Sequence, residues 1–271
     1  GIEYNSPVAS AQVKSAILLA GLYASSPTTV TEPAKSRDHT ELMLKKFGAN
    51  LTSTKTSVTI NPCSELFAND IDVPSDISSA AFFMAAAILV PNSELILENV
   101  GINPTRDGII KVLKDMGANI EIINQTDSFE PVADIKVTYS KLNATCIGGD
   151  IIPTLIDELP LLAALASLAD GTTVIKDALE LKVKESNRIR VMCEELSKLG
   201  VDVVETDDGM EIKGTDKLKG NVTIATHDDH RIAMTFAVLN LVSDGEIRLD
   251  NKNCVEISYP DFFNDLNKVN I

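Results

Sequence analysis

The sequence predicts an α/β fold built from similar subunits. Three observations lead to this prediction: one order of predicted elements recurs along the 271 residues, the first helix of each copy is small and apolar all round, and the second helix stops at a glycine. Gly48, Gly117 and Gly200 each follow the last apolar residue of such a helix. Glycine is favoured there because it adopts the left-handed conformation that closes the last turn at no steric cost.

Each copy contains an apolar helix, a short turn, a strand, a polar segment, an amphipathic helix and another strand. Copy one has helices at 12–24 and 39–47 with a strand at 28–31. Copy two has helices at 78–89 and 106–116 with a strand at 94–97, and copy three has helices at 158–169 and 185–199 with a strand at 172–175. A partial fourth copy has a helix at 229–241 and a strand at 246–249.

The two helices of a copy differ in their surfaces. The first is rich in Ala, Ser and Leu on every side, which suits a helix buried between sheets. The second has a polar face, such as Lys111, Lys114 and Asp115 opposite Ile110 and Leu113. We therefore expect one helix inside and one outside, with strands between them.

A break is predicted near Pro74, because proline ends the strand before it and the preceding segment is polar. Residues 1–73 then hold one unit, and residues 74–271 hold nearly three. A lone unit of about seventy residues is a poor independent core. We interpret residues 1–73 as the last unit of a domain that begins upstream.

Composition excludes several classes of protein. The net charge of −15 makes nucleic acid and anionic membranes poor partners, and no apolar run reaches the ~20 residues of a membrane span. Without a signal-peptide pattern, the expected location is the cytoplasm. The four cysteines are far apart and lack CxxC spacing, so buried or incidental thiols are expected rather than a metal or disulfide site.

Two polar segments stand at the predicted starts of apolar helices and have competing interpretations. Ser10 can be a helix N-cap followed by Gln12, or the exposed amides there can hold an oxyanion. Asp157 can be an N-cap with Pro160 in the first turn, or Asp157 and Glu158 can supply a general base.

Two further segments carry cations. If a helix begins at Glu185, Lys184 and Arg188 share one face, either as a solvated surface or around a bound anion. Asp229 can cap the next helix and leave Arg231 in its first turn, where the helix dipole disfavours a cation unless an anion binds. A metal site from neighbouring His and Asp residues is the alternative there, and we do not favour it.

Together these segments resemble EPSP synthases. The matching motifs occur in that family's order along the whole chain: 10–16 (SAQVKSA), 37–41 (RDHTE), 76–80 (DISSA), 103–106 (NPTR), 157–158 (DE), 184–188 (KESNR), 229–231 (DHR) and 258–260 (SYP). The resemblance implies an inverse α/β barrel of the enolpyruvyl transferase type, with domains of βαβαββ-like units closing over substrate.

The resemblance also implies an activity: transfer of the enolpyruvyl group of phosphoenolpyruvate to the 5-hydroxyl of shikimate 3-phosphate, in the pathway to aromatic amino acids. Both substrates are anions, and neither a metal nor an organic cofactor is expected. The implied catalytic residues are Asp157 and Glu185. The implied ligands of shikimate 3-phosphate are Ser10, Gln12, Arg37, Asp157 and Lys184, and those of phosphoenolpyruvate are Gln12, Arg188 and Arg231.

Two departures from the family qualify these expectations. The family's upstream part brings further substrate-binding residues that this sequence lacks, so we expect the chain alone to be inactive. Ile257 stands where some members have a lysine. One alternative is a non-catalytic fragment or binding module. The other is a UDP-N-acetylglucosamine enolpyruvyltransferase, which the motifs at 184–188 and 229–231 argue against. A full-length protein is expected to be monomeric.

Overall fold

The computed structural model describes residues 1–126 and 129–269. Unit one consists of a strand, helix, strand, helix and hairpin: β1 (Glu3–Asn5), α1 (Ala11–Gly21), β2 (Thr28–Thr31), α2 (His39–Lys46), β3 (Leu51–Ser53) and β4 (Ser57–Ile60). β1 and β2 pair in parallel, as strands joined by a crossover helix do, and the other pairs are antiparallel. The sheet order is β1-β2-β4-β3.

Unit two repeats this arrangement with α3 (Ile77–Leu89), β5 (Glu94–Gly101), α4 (Gly108–Asp115), β6 (Asn119–Thr126) and β7 (Val132–Thr138). Its sheet order is β5-β7-β6. A single parallel bridge from Ser75 to Val100 takes the place of the first strand.

Unit three consists of β8 (Cys146–Ile147), α5 (Leu159–Ala166), β9 (Thr172–Ile175), α6 (Arg188–Lys198), β10 (Asp202–Glu205) and β11 (Met210–Lys213). Its sheet order, β8-β9-β11-β10, matches that of unit one. Unit four has β12 (Val222–Ile224) parallel to β13 (Ile247–Leu249), with α7 (His230–Leu239) between them and α8 (Phe262–Lys268) after them. The predicted repeat is therefore confirmed.

The glycine signals predicted the ends of the second helices correctly. Gly48, Gly117 and Gly200 have φ of +91°, +91° and +84° and lie two residues beyond α2, α4 and α6. These are left-handed conformations that a side chain would strain.

Three of the apolar helices form the centre of the second core. Eleven of the thirteen residues of α3, all eight of α5 and seven of the ten of α7 are buried, and the three helices pack on one another. The expectation of a buried first helix is wrong for α1, where only Lys14, Leu18 and Gly21 are buried. α1 packs mainly on β2 and β4, and its opposite face is exposed.

Among the described residues, buried apolar side chains form two clusters, one within residues 18–60 and the other within 77–262. Residues 61–74 between them contain neither helix nor strand. A domain boundary near Pro74 remains our proposal. No helix in the described ranges is long and apolar enough to cross a membrane.

Candidate active site

Asp157 stands in a short 3-10 turn, Ile156–Glu158, that leads directly into α5. Pro160 lies in the first turn of α5, as predicted, because its missing N–H is not needed there. The N-cap position belongs to Glu158 rather than Asp157, so the interpretation of Asp157 as a helix cap is wrong. Its carboxylate is available for other partners.

Four cations surround the Asp157 carboxylate, and we call these five residues the Asp157 cluster. Arg37 Nη2 lies 3.0 Å from Oδ2 and Arg188 Nη1 lies 3.6 Å from Oδ1. Lys184 Nζ and Arg231 Nη2 each lie 3.8 Å from a carboxylate oxygen. In a chain of net charge −15, such a concentration of positive charge favours an anionic ligand.

The Asp157 cluster controls the ionisation of its acid. Burial raises the pKa of Asp157, but the neighbouring cations, Arg231 foremost, outweigh burial and hold the pKa below its usual value. Asp157 is therefore ionised at neutral pH and able to accept a proton.

Arg188, the first residue of α6, is 1% exposed and pairs with the fully buried Asp229. Its Nε donates to Asp229 Oδ2 at 2.8 Å and its Nη2 donates to Oδ1 at 3.2 Å. Nη2 also donates to Glu185 Oε2 at 2.6 Å. Nη1 has no hydrogen-bond partner among the described residues and points towards Asp157. A buried donor without a partner costs free energy that a bound anion would recover.

Asp229 is the N-cap of α7, as predicted, and accepts a hydrogen bond from the Arg231 N–H at 3.0 Å. It also accepts from Ser186 Oγ at 2.9 Å. Burial raises the pKa of Asp229, but the bonds from Arg188 and Ser186 outweigh it and lower the pKa overall. One acid thus anchors the side chain of Arg188 and the backbone of Arg231, although the two are 43 positions apart.

Glu158, 2% exposed, has different partners from Asp157. Ser78 Oγ donates a hydrogen bond to its Oε1, and Arg106 Nη2 and Arg231 Nη1 lie 3.5 and 3.7 Å from the same oxygen. Burial dominates here and raises the pKa of Glu158, against the effect of the two arginines.

The helical placement of Lys184 and Glu185 is wrong. Asn187 caps α6 by accepting from the Arg190 N–H at 3.2 Å, so the helix begins at Arg188. Lys184 has an extended backbone, and its Nζ bonds Glu180 Oε1 at 2.5 Å. Glu185 is half exposed at the edge of the cluster. Both still lie beside Arg188 or Asp157, through a loop rather than a helix face.

The predicted residues of unit one are brought together only in part. Arg37 reaches Asp157 from the loop before α2. Ser10 caps α1, where its Oγ accepts from the Val13 N–H at 3.4 Å, and its own N–H donates to Glu32. Gln12 is exposed on the first turn of α1. No hydrogen bond or ion pair joins Ser10 or Gln12 to the Asp157 cluster within the described ranges.

Sequence reasoning gave no role to Arg106 or Ser78, and it considered Glu158 only as a general base beside Asp157. A signal existed for Arg106: it lies two residues before α4, as Arg37 lies two residues before α2, and Arg188 is the first residue of α6. The repeat therefore supplies an arginine at the start of each second helix in units one to three.

The cysteines are free thiols. Cys193 and Cys254 are buried, Cys63 is half-buried and Cys146 is exposed. Burial raises the pKa of the Cys193 thiol to about 11. In the part of the chain that the structure describes, no group of three or more His, Cys, Asp or Glu side chains could hold a metal ion.

Comparison with known proteins decides the family. The family model for EPSP synthase (3-phosphoshikimate 1-carboxyvinyltransferase) matches residues 1–266. The chain belongs to the EPSP synthase family. It is 55% identical over 270 residues to the 3-phosphoshikimate 1-carboxyvinyltransferase of Bacillus subtilis, a match that covers 99% of this chain and 63% of that relative. The relative from Thermoanaerobacter pseudethanolicus is 54% identical over 264 residues, covering 97% and 62%.

Solved structures agree with the family fold. EPSP synthase from Acinetobacter baumannii superimposes with a TM-score of 0.92 at 43% identity, covering 99% of this chain and 62% of that one. The enolpyruvyl transferase NikO from Streptomyces tendae has a TM-score of 0.74 at 19% identity, covering 93% and 57%, and shows the fold alone. The predicted inverse α/β barrel class is confirmed. The chain spans about 63% of the length of the curated relatives it matches.

Proposed function

We propose that this chain contributes to the active site of an enzyme that transfers the enolpyruvyl group of phosphoenolpyruvate to the 5-hydroxyl of shikimate 3-phosphate. The observation that carries the proposal is the ring of four cations around the ionised Asp157. Such a site binds two anionic substrates and keeps a base between them. Membership in the EPSP synthase family supports the choice of substrates.

The assignment of each cation to one of the two substrates follows the resemblance of its motif to the EPSP synthase family. Arg188 and Arg231 hold phosphoenolpyruvate, because planar guanidinium groups suit carboxylate and phosphate and Nη1 of Arg188 has no hydrogen-bond partner among the described residues. Lys184 and Arg37 hold shikimate 3-phosphate together with Ser10 and Gln12. The last two lie outside the Asp157 cluster, so their role requires closure of unit one on the cleft.

The reaction runs as addition followed by elimination. The 5-hydroxyl oxygen of shikimate 3-phosphate bonds to C2 of phosphoenolpyruvate while Asp157 takes the hydroxyl proton. Glu185 gives a proton to the C3 methylene. Glu185 then removes a proton from the new methyl group while the C2–O bond to phosphate breaks, and the leaving phosphate takes the proton held by Asp157. Anions that bind the arginines draw them from Asp157, which raises its pKa and strengthens it as a base.

The test is a phosphate-release assay with both substrates on two proteins. One is this chain alone, and the other is a completed enzyme in which the remaining segment of the Bacillus subtilis relative is joined to this sequence. We expect release from the completed enzyme and none from the chain alone. A completed enzyme that binds either substrate without releasing phosphate would support a binding module instead.

The alternative enolpyruvyltransferase activity is tested in the same phosphate-release assay. Release with UDP-N-acetylglucosamine in place of shikimate 3-phosphate would favour the other enolpyruvyltransferase. The predicted monomeric state of the full-length protein is tested by light scattering. A cytoplasmic location also remains a prediction, which cell fractionation tests.

A further inference from the structure

A buried polar network at the start of α5 joins three units. Arg106 Nη2 of unit two donates to Ser78 Oγ at 2.5 Å, and Ser78 Oγ donates to Oε1 of Glu158 in unit three. Arg231 of unit four lies with its Nη1 3.7 Å from the same Oε1. We call these four residues the Glu158 network.

The direction of these hydrogen bonds follows from the groups involved. Arginine only donates, so Ser78 Oγ accepts from Arg106 and has its single proton left for Glu158. The network therefore ends on a carboxylate oxygen that also faces Arg231. Positive charge reaches Glu158 from two sides, and the ionised form of the acid gains most from this arrangement.

Arg231 is held from one side by two successive residues. Its Nη1 donates to the backbone oxygen of Asp157 at 3.2 Å and lies 3.7 Å from Glu158 Oε1, while Nη2 faces the Asp157 carboxylate. We propose that Glu158, supported by Ser78 and Arg106, is a positioning residue that orients the Arg231 guanidinium for the anionic donor substrate. The proposal rests on the proposed function.

The internal repeat supports this assignment. Arg37 and Arg188, which stand at the starts of α2 and α6, contact Asp157, whereas Arg106 at the start of α4 contacts Glu158. Arg106 is only 12% exposed, against 37% for Arg37. The corresponding cation of unit two thus contacts the buried Glu158 instead of Asp157.

A positioning role through an ionised carboxyl has a pH signature. The groups that face Glu158 are Arg106, Arg231 and Ser78, with Asp157 as the neighbouring acid, and burial raises the pKa of Glu158 above its usual value. As the pH falls through that raised pKa, Glu158 becomes neutral and its attraction for Arg231 weakens. In the parent enzyme, affinity for phosphoenolpyruvate should therefore fall as the pH drops through the pKa of Glu158. We call this fall the acidic limb of the pH profile.

The test compares Glu158→Gln with a matched control in the completed enzyme. Glu195→Gln is the control, because Glu195 is also 2% exposed and paired with a cation, Lys198, but lies on α6, where it also accepts a hydrogen bond from the Ala225 N–H. We expect Glu158→Gln to raise KM for phosphoenolpyruvate about tenfold, the effect of weakening one charge-assisted contact. KM for shikimate 3-phosphate should stay within about twofold of the parent value. The rise in KM for phosphoenolpyruvate at acidic pH, seen in the parent, should disappear.

Glu195→Gln should leave both Michaelis constants and the acidic limb unchanged. Ser78→Ala, which keeps both charges, should raise donor KM by about threefold and serves if Glu158→Gln does not fold. Unchanged donor KM in Glu158→Gln, or equal changes in Glu158→Gln and Glu195→Gln, would overturn the proposal.

A crystal structure of each variant supplies a readout that needs no substrate. The 3.2 Å contact from Arg231 Nη1 to the Asp157 oxygen should persist in Glu195→Gln and be lost in Glu158→Gln. Its persistence in Glu158→Gln would refute the positioning role. A parent enzyme without transfer activity would refute the proposed function instead, and the comparison of structures would still decide this proposal.

Discussion

Two buried cations, Lys14 in unit one and Arg188 in unit three, show how differently a charge can be held. Lys14 of α1 is 2% exposed, with Nζ 3.0 Å from Glu32 Oε2, 2.8 Å from Glu41 Oε1 and 3.4 Å from the Ser36 oxygen. Its three donors thus have three acceptors. Arg188 is 1% exposed but has one nitrogen, Nη1, without a hydrogen-bond partner among the described residues.

This difference in hydrogen bonding distinguishes a cation with a structural role from a cation that is free to bind a ligand. Lys14 has nothing left to offer a ligand, and its role is to neutralise two buried acids. Arg188 is fixed by Asp229 through Nε and Nη2, and its remaining nitrogen, Nη1, faces the Asp157 carboxylate at 3.6 Å. An arginine that is anchored on one side and unsatisfied on the other is prepared for an anion at little entropic cost.

The largest expected effect concerns the acid that Nη1 of Arg188 faces. Asp157→Asn keeps the shape of the side chain but cannot accept the hydroxyl proton, so the chemical step should slow by ~10² to 10⁴. Binding of shikimate 3-phosphate should change far less. Single-turnover rates and calorimetry on the completed enzyme measure the two quantities. Turnover near the parent rate would remove Asp157 as the base and transfer that role to Glu185 or to a residue outside this chain.

The second prediction tests the comparison directly with two matched variants, Lys14→Met and Arg188→Met. Each leaves buried acids without their cation, so each should lower the free energy of unfolding by about 3–5 kcal/mol. Only Arg188→Met should also weaken phosphoenolpyruvate binding, by one to several powers of ten. Urea unfolding and calorimetry give the two values. Equal loss of donor affinity in both variants would mean that Arg188 acts through stability alone.

How far the sequence predicts such differences depends on whether the signal is local. Strands β2 and β9 were predicted at their observed bounds, because a turn and a run of β-branched residues mark each one. The cap by Asp229 is also local: an acid stands immediately before an apolar run. The start of α6 was missed because Asn187 was not recognised as the N-cap.

The division of labour between Asp157 and Glu158 could not be predicted in the same way. The two acids are adjacent, and nothing in their flanking residues says which one meets the cleft. Their partners come from residues 37, 78, 106, 184, 188 and 231, and only the folded chain decides which partner meets which acid. Tertiary contacts over such separations leave no local pattern.

The third prediction uses the opposite pKa shifts of these neighbours. The pKa of Asp157 is lowered in the folded chain, so its stabilising contribution exists above the unfolded pKa of about 4 and is lost as the pH falls through the folded value. The pKa of Glu158 is raised, so its contribution exists below about pH 4 and is lost as the pH rises through the folded value.

Urea midpoints of the parent, Asp157→Asn and Glu158→Gln between pH 3 and pH 8 test this prediction. Relative to the parent, Asp157→Asn should lose stability as the pH rises, whereas Glu158→Gln should gain it. If the stability difference from the parent changed with pH in the same direction for both variants, the opposite pKa shifts of Asp157 and Glu158 would be contradicted.

The smallest expected effect belongs to Arg37, the member of the Asp157 cluster that comes from unit one. Its side chain is 37% exposed, and an ion pair so open to solvent is worth about 0–1 kcal/mol. Arg37→Gln should therefore change the free energy of unfolding by less than about 1 kcal/mol, and its effect should shrink further in 0.5 M salt because exposed pairs are screened. If Arg37 also holds shikimate 3-phosphate, affinity for that substrate should fall by roughly three- to tenfold while donor affinity stays constant. Urea unfolding and calorimetry separate the two outcomes. A loss of several kcal/mol in the free energy of unfolding would show instead that Arg37, like Lys14, has a structural role.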